Sequence, residues 1–243
     1  MLLLFDIDGT LLGGTTQPVG AAMLTALSEV HGIDVGVIRT QIATDGRTDG
    51  EIARAILVGA GVSSDRIDAL ADSVRDSCTR VAARLLPDDL SSAVLPGVRE
   101  LLHWLARYEG VRLALLTGNY ESIARLKLAR AGLGDVFAEG QGAFGSDAED
   151  RTALPAIARR RAGSSRIPYP RSETIVIGDT PRDIACARAD GVRCVAVATG
   201  AFSSDALAAA DVVARDAFDL RRILADLGIG SVRRAPAASS RDT

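Results

Sequence analysis

Met1-Leu-Leu-Leu-Phe-Asp-Ile-Asp-Gly-Thr-Leu-Leu12 is the stretch from which the fold can be read. Four apolar residues and a phenylalanine lead without interruption into Asp6. An unbroken apolar run this short fits a strand buried on both faces, as in a parallel sheet. It ends in two carboxylates two residues apart, and Gly9 then permits a sharp turn. Residues i and i+2 of a strand share a face, so Asp6 and Asp8 point toward one site beyond the strand end. No basic residue is adjacent to offset their repulsion, and a divalent cation is the simplest compensation.

Outward from this strand the chain changes character twice. After Gly13-Gly14 the apolar positions fall at helical spacing: Val19, Met23, Leu27 and Val30, a further stretch after Asp34, then Ile52, Ile56 and Leu57. A long stripe follows from Ile67 through Val74 and Val81 to Leu85. Residues 14–92 therefore read as an all-helical insertion. From Pro96-Gly97 the pattern alternates between helix and strand, as parallel α/β units do. Strands are expected at 111–116, 136–138, 174–178, 192–197 and 210–213. Helices are expected at 98–108, 121–131, from 151–155 onward, after 179 and at 216–227. Gly140-Gln-Gly-Ala-Phe-Gly145 reads as a loop. Residues 1–13 and 93–230 form the core on this reading, and residues 231–243 a disordered tail.

Composition narrows the function. A net charge of -3 gives no electrostatic footprint for nucleic acid or an anionic membrane, and no run approaches a membrane span. The apolar start lacks the basic leader of a signal peptide. Three cysteines without metal or redox spacing suit a reducing cytoplasm, and His31 and His103 read as structural or solvated. Of 28 basic residues, one, Lys127, is lysine.

Three expected strands end in polar residues: Asp6 and Asp8, Thr117 and Asn119, Asp179 and Asp183. In an open parallel sheet such ends lie along one edge, where ligands bind. Four carboxylates gathered there call for Mg²⁺, which takes oxygen ligands and is commonly shared with substrate phosphate.

Asp6-Ile-Asp-Gly-Thr, Thr117-Gly-Asn and Gly178-Asp-Thr-Pro-Arg-Asp183, in this order, resemble the motifs of the haloacid dehalogenase superfamily, closest to its phosphoglycolate phosphatase-like group. The resemblance covers residues 1–227. It implies a Rossmann-like core with helices on both faces of the sheet, and a helical cap inserted after the first motif. It also implies a small phosphorylated substrate, with the protein a monomer or homodimer. By the same resemblance Asp6 is the nucleophile and Asp8 the acid–base group. Thr117, Gly118, Asn119 and Gly9 serve phosphate binding. Mg²⁺ is held by Asp6, the Asp8 carbonyl, Asp179 and Asp183, the last directly or through water.

The family usually supplies a lysine shortly before the last motif strand. Here Arg151 stands in that place, and an arginine can grip phosphate bidentately without losing its charge. Its structural alternative is a helix-start arginine paired with Asp147, Glu149 or Asp150. Lys127, mid-helix after the Thr117 strand, is expected to be a solvated surface residue of little consequence. Arg47 sits in a turn resembling the specificity loop of the group and is a candidate for reading an anionic substrate end; capping by Thr48 is the alternative account of that turn.

A receiver domain uses the same chemistry but would lack Asp8 and the insertion, and a dehalogenase would not keep Asp8. A phosphomutase of the beta-phosphoglucomutase type shares both acids. The full set of acids counts against a non-catalytic phospho-acceptor or binding domain, an alternative that arginine in place of the usual lysine leaves open.

Overall fold

The computed structural model describes residues 1–34 and 44–229. Six parallel strands form one sheet in the order β3-β2-β1-β4-β5-β6. They are β1 (Leu2–Phe5), β2 (Arg112–Thr117), β3 (Ala143–Phe144), β4 (Thr174–Gly178), β5 (Arg193–Val197) and β6 (Val212–Ala214). The opening strand is central, between β2 and β4, and all four of its side chains are fully buried.

Alternation along the strands divides the core in two. Leu3 and Phe5 join Leu115, Ile175, Ile177 and Val195 on one face of the sheet. Leu2 and Leu4 join Ala114, Leu116, Val176 and Ala196 on the other. The first layer is covered by α4 (Val98–Leu105), α5 (Glu121–Arg130) and α8 (Ala217–Asp226), which contribute Leu101, Ile123 and Leu220. The second is covered by α6 (Leu154–Ala162) and α7 (Pro181–Asp190), through Ala158 and Ala187. Both faces of β1 therefore meet helices, which is why its sequence shows no polar alternation.

Between β1 and α4 lie α1 (Thr16–His31), α2 (Asp49–Gly59) and α3 (Ser64–Leu85), with α1 packed against α3. The segment leaving the core and the one returning run side by side: Gly13 N–H donates to Ala93 O at 2.8 Å and Leu95 N–H to Leu11 O at 3.0 Å. This pairing gives the inserted helices a short, two-stranded attachment. The stretch after Asp34 and the tail lie outside the described residues.

Two expectations fail at the sheet edge. Val136 belongs to a 3₁₀ turn, Gly134–Val136, and residues 136–138 form no strand. The edge strand is instead Ala143–Phe144, inside the stretch read as a loop. Gly142, with φ of 86°, lies so close to the Leu115 backbone that a Cβ there would collide with it. The glycine that suggested a loop is what allows the chain onto the sheet. The helix expected over 98–108 ends at Leu105.

All three cysteines are buried free thiols. His31 is buried and His103 exposed. Among the described residues no helix is long and apolar enough to cross a membrane.

Candidate active site

Beyond the carboxyl end of β1 the chain folds into a tight turn in which Ile7 O accepts from the amides of Thr10, Leu11 and Leu12. Gly9 occupies its left-handed position, with φ of 84°. Asp6 and Asp8 flank the apolar Ile7 and both line one cavity of about 320 Å³. Thr117, Gly118, Asn119, Arg151 and Asp179 line it as well, so three strand ends and the start of the 151–162 helical segment converge as the sequence predicts. The insertion supplies a mixed wall, with apolar Val19 and Met23 from α1 and Ile52 and Ile56 from α2, and polar Thr16, Thr44, Asp45, Arg47 and Asp49.

The two acids of the first motif sit in opposite electrostatic surroundings. Asp6 is buried in a cluster with Asp179 and Asp183, whose carboxylate oxygens lie within 4.8 Å of one another. Burial pushes its carboxyl up to about 6; Arg151 opposes the shift, and repulsion from Asp183 and Asp8 adds to it. Asp179 rises further, to about 8, through burial and then repulsion from Asp6 and Asp183. It is pressed between the backbones of Gly9 and Gly200, where any side chain would collide with its carboxylate. Thr10 donates to it at 3.2 Å.

Asp8 turns away from this cluster. Lys127 Nζ donates to its Oδ1 and Oδ2 at 2.8 and 2.7 Å, Asn119 Nδ2 to Oδ2 at 2.8 Å, and the Thr15 hydroxyl to Oδ1. Burial alone would raise the carboxyl; the Lys127 charge and these hydrogen bonds outweigh it and hold Asp8 below the usual carboxylate range. Lys127 is thus not the solvated residue its mid-helix position suggests. It is 1% exposed, on the inward face of α5. It shares the buried face of α5 with Ile123, Ala124 and Leu128 and is the one polar residue there. The better signal was compositional: a single lysine in an arginine-dominated chain.

Arg151 opens the 3₁₀ turn Arg151–Ala153, whose N-cap Asp150 accepts from Thr152 N–H. Its guanidinium Nη2 lies 2.6 Å from Asp183 Oδ1 and 3.2 Å from Asp6 Oδ2, and Nη1 donates to Gly46 O at 3.2 Å. The acids proposed as its structural partners are engaged elsewhere, Asp147 with Arg161 and Glu149 with Arg54. Asp183 also completes a capping box at the start of α7, where its Oδ2 accepts from Thr180 N–H at 3.0 Å and Thr180 Oγ1 at 2.7 Å. Helix capping and the Arg151 pair therefore fix the acid cluster from behind.

The turn after β2 is held in place from both sides. Thr117 Oγ1 accepts from Asn119 N–H at 3.3 Å and from Asn119 Nδ2 at 3.1 Å. Gly118 fits between the carbonyl of Arg47 and Gly145, and a Cβ on it would strike the Arg47 carbonyl. Asp49 N–H donates to Gly118 O at 2.7 Å, and the buried Asp49 carboxylate accepts from Tyr120 N–H at 2.8 Å. The segment 46–49 of the insertion is thereby docked on the turn. Thr48 does cap α2, accepting from Glu51 N–H at 3.0 Å. Arg47 lines the cavity while pairing with Glu51 at 3.1 Å, so both accounts of this turn have a structural counterpart.

Three buried carboxylates with Arg151 as the nearby cation leave an excess of negative charge. Oxygen donors of this kind suit a hard divalent cation. The raised carboxyls give this a measurable consequence. A carboxyl whose folded value lies above its unfolded one binds more protons in the native state, so stability falls as pH rises through that interval. For Asp6 and Asp179 the interval runs from the ordinary carboxyl value of 3.8 to about 6 and about 8. Metal-free protein is expected to lose thermal stability between pH 5 and 8, and millimolar Mg²⁺ to restore most of it at pH 8. A flat melting temperature over this range, with no Mg²⁺ response, would contradict the cluster's role.

Comparison with known proteins agrees with this geometry. The family model described as haloacid dehalogenase-like hydrolase matches residues 3–188, and a second, related hydrolase model matches residues 152–227. The phosphoglycolate phosphatase of Pseudomonas syringae pv. syringae is 30% identical over 201 residues, covering 82% of this chain and 70% of the relative. That of Rhodospirillum rubrum is 30% identical over 203 residues, covering 82% and 79%. Among solved structures, a hydrolase from Pseudomonas syringae superimposes with a TM-score of 0.60 at 22% identity, over 93% of this chain and 98% of that one.

Proposed function

This chain belongs to the haloacid dehalogenase-like hydrolase family, and we propose that it is a phosphatase that hydrolyses a small phosphate monoester through a phospho-aspartate on Asp6. One observation carries the assignment of roles. Two carboxylates of the same turn are pushed apart electrostatically, Asp6 into an anionic cluster with Arg151 and Asp8 onto a buried ammonium. Paired acids in unlike surroundings are how one site runs two chemistries.

Asp6 Oδ attacks phosphorus, and the bond from phosphorus to the leaving oxygen breaks. Asp8 gives that oxygen a proton. Water then attacks the phospho-aspartate, Asp8 takes the water's proton, and Asp6 is released as the carboxylate with inorganic phosphate. Splitting the hydrolysis in two replaces one very slow step by two easier ones. An approaching phosphate dianion repels the Asp8 carboxylate and so favours the protonated form it needs for the first step. The Thr117 hydroxyl and the Gly118 amide are available to grip phosphate oxygens, Asn119 holds their turn in place, and Gly9 leaves room for the Asp179 carboxylate beside them. Arg151 orients Asp6 and lowers the cost of bringing a dianion to it.

Asp6, Asp179 and the carbonyl of Asp8 are the residues that would hold Mg²⁺, with Asp183 behind them, since its two oxygens already serve Arg151 and Thr180. The ion supplies charge neutralisation for carboxylate and phosphate. The helices between β1 and α4 act as a cap, 14–92, that excludes bulk water over the site. Their contribution to the wall pairs apolar Val19, Met23, Ile52 and Ile56 with polar Thr44, Asp45, Arg47 and Asp49, which suits a small phosphomonoester with polar groups beyond its phosphate. Arg47 is the group available for an anionic substrate end.

The test is phosphate release by purified protein from phosphoglycolate, sugar phosphates and p-nitrophenyl phosphate, with Mg²⁺ and with EDTA. Release with Mg²⁺ that stops on chelation is expected. Transfer of phosphate to a second sugar hydroxyl without net release would favour the mutase.

A further inference from the structure

Lys127 is the single lysine among 28 basic residues, and it is buried. Its ammonium meets three acceptor atoms: Asp8 Oδ1 at 2.8 Å, Asp8 Oδ2 at 2.7 Å and Asn119 Oδ1 at 2.8 Å. An ammonium has three N–H donors, so the set is saturated and none remains for substrate. Asn119 closes a ring by returning its Nδ2 to Asp8 Oδ2 and to Thr117 Oγ1. Asp8, Asn119, Thr117 and Lys127 all line the cavity. A planar guanidinium, with five donors in a rigid fork, does not match three acceptors converging on one point. That mismatch is a physical reason for lysine to persist here when arginine fills the other cationic positions.

We propose that Lys127 is the positioning residue of Asp8: it fixes the carboxylate through both oxygens in the orientation from which the proton reaches the leaving oxygen, and an ammonium is required for this. The proposal rests on the reading of Asp8 as the acid–base group. A purely structural ion pair is a weaker account, because a buried pair used for packing alone can be replaced by apolar residues, and it would not bind the ring to two further cavity-lining side chains.

Leaving-group dependence separates the two accounts. p-Nitrophenol departs as a stabilised anion and needs little protonation, whereas an alkoxide needs a general acid, worth roughly 10²–10⁴-fold. With Mg²⁺ present, kcat and KM are measured for wild type, Lys127→Met, Lys127→Arg, Asp8→Asn and the double variant Asp8→Asn/Lys127→Met, on p-nitrophenyl phosphate and on an alkyl phosphate. Lys127→Met is expected to lose roughly 10–100-fold more on the alkyl ester than on the aryl ester, chiefly in kcat. Lys127→Arg should follow it, and the double variant should be no worse than Asp8→Asn. Equal losses on both esters, or a fully active Lys127→Arg, overturn the proposal while leaving Asp8 in its role. An Asp8→Asn variant with no leaving-group dependence overturns the Asp8 reading itself. If Lys127→Met fails to fold with Asp8 left unpaired, the double variant carries neither charge, and Lys127→Arg decides.

Discussion

Asp6→Asn is expected to reduce phosphate release by on the order of 10⁴-fold or more while leaving the protein at least as stable as wild type in the absence of metal. The loss follows from the amide, which lacks the anionic oxygen needed to attack phosphorus. The gain follows from the cluster. Asp6 lies against Asp179 and Asp183, and burial, with repulsion from Asp183 and Asp8, drives its carboxyl up to about 6. A neutral side chain of the same size removes that repulsion, and Arg151 keeps its closer partner, Asp183, at 2.6 Å. Activity and stability thus move in opposite directions, as they do where a site holds unfavourable charge for function. Phosphate release and a thermal melt in EDTA at pH 7.5 check both halves. Acid-quenched wild type exposed to substrate should carry one phosphoryl group and the variant none. A variant within tenfold of wild-type turnover would remove Asp6 from the nucleophile's role.

Much of this site was legible in the sequence because the parallel sheet does the assembling. Asp6 and Asp179 are 173 residues apart with Thr117 between them, yet each sits at the carboxyl end of a strand of the same sheet, and parallel strands bring such ends to one edge. What escaped depended on side-chain direction rather than on strand order. Asp6 and Asp8 share the turn and the cavity, but their carboxylates diverge, and alternation along a strand says nothing about partners supplied by α5. Lys127 escaped because a helix of weak amphipathic pattern does not announce which polar residue faces inward. The edge strand Ala143–Phe144 escaped because two residues are too few for a period, and because Gly142 serves a close approach to β2 rather than a turn alone. Arg151 was found by its place in the chain, but its two carboxylate partners could be known only from the packing of α7 against the 151–153 turn.

Arg151→Met should be the most destabilising of the conservative changes at this site. Arg151 is 4% exposed and bridges Asp183, which is fully buried, to Asp6. Removing one partner of a buried pair leaves an uncompensated charge and typically costs about 3–5 kcal/mol. For a chain of this size that corresponds to a melting temperature lower by roughly 6–20 °C. The sign of the pH dependence follows from which form the guanidinium favours. It stabilises the ionised carboxylate of Asp6, so that part of its contribution is present where Asp6 is charged and shrinks as pH falls and Asp6 protonates. The deficit of the variant should therefore be largest near pH 8 and smaller at pH 5, where Asp6, with its carboxyl up at about 6, is already largely protonated in the native protein. Arg151→Lys keeps the charge but not the fork that reaches Asp183, Asp6 and Gly46 O together, and should fall between the two. Mg²⁺ should raise the melting temperature of Arg151→Met more than that of wild type, because a dication in the acid cluster takes over part of the missing compensation. Thermal melts of the three proteins at pH 5 and pH 8, with EDTA and with Mg²⁺, decide the matter. A methionine variant melting within about 2 °C of wild type at pH 8 would mean that the cluster does not depend on Arg151 for its charge balance.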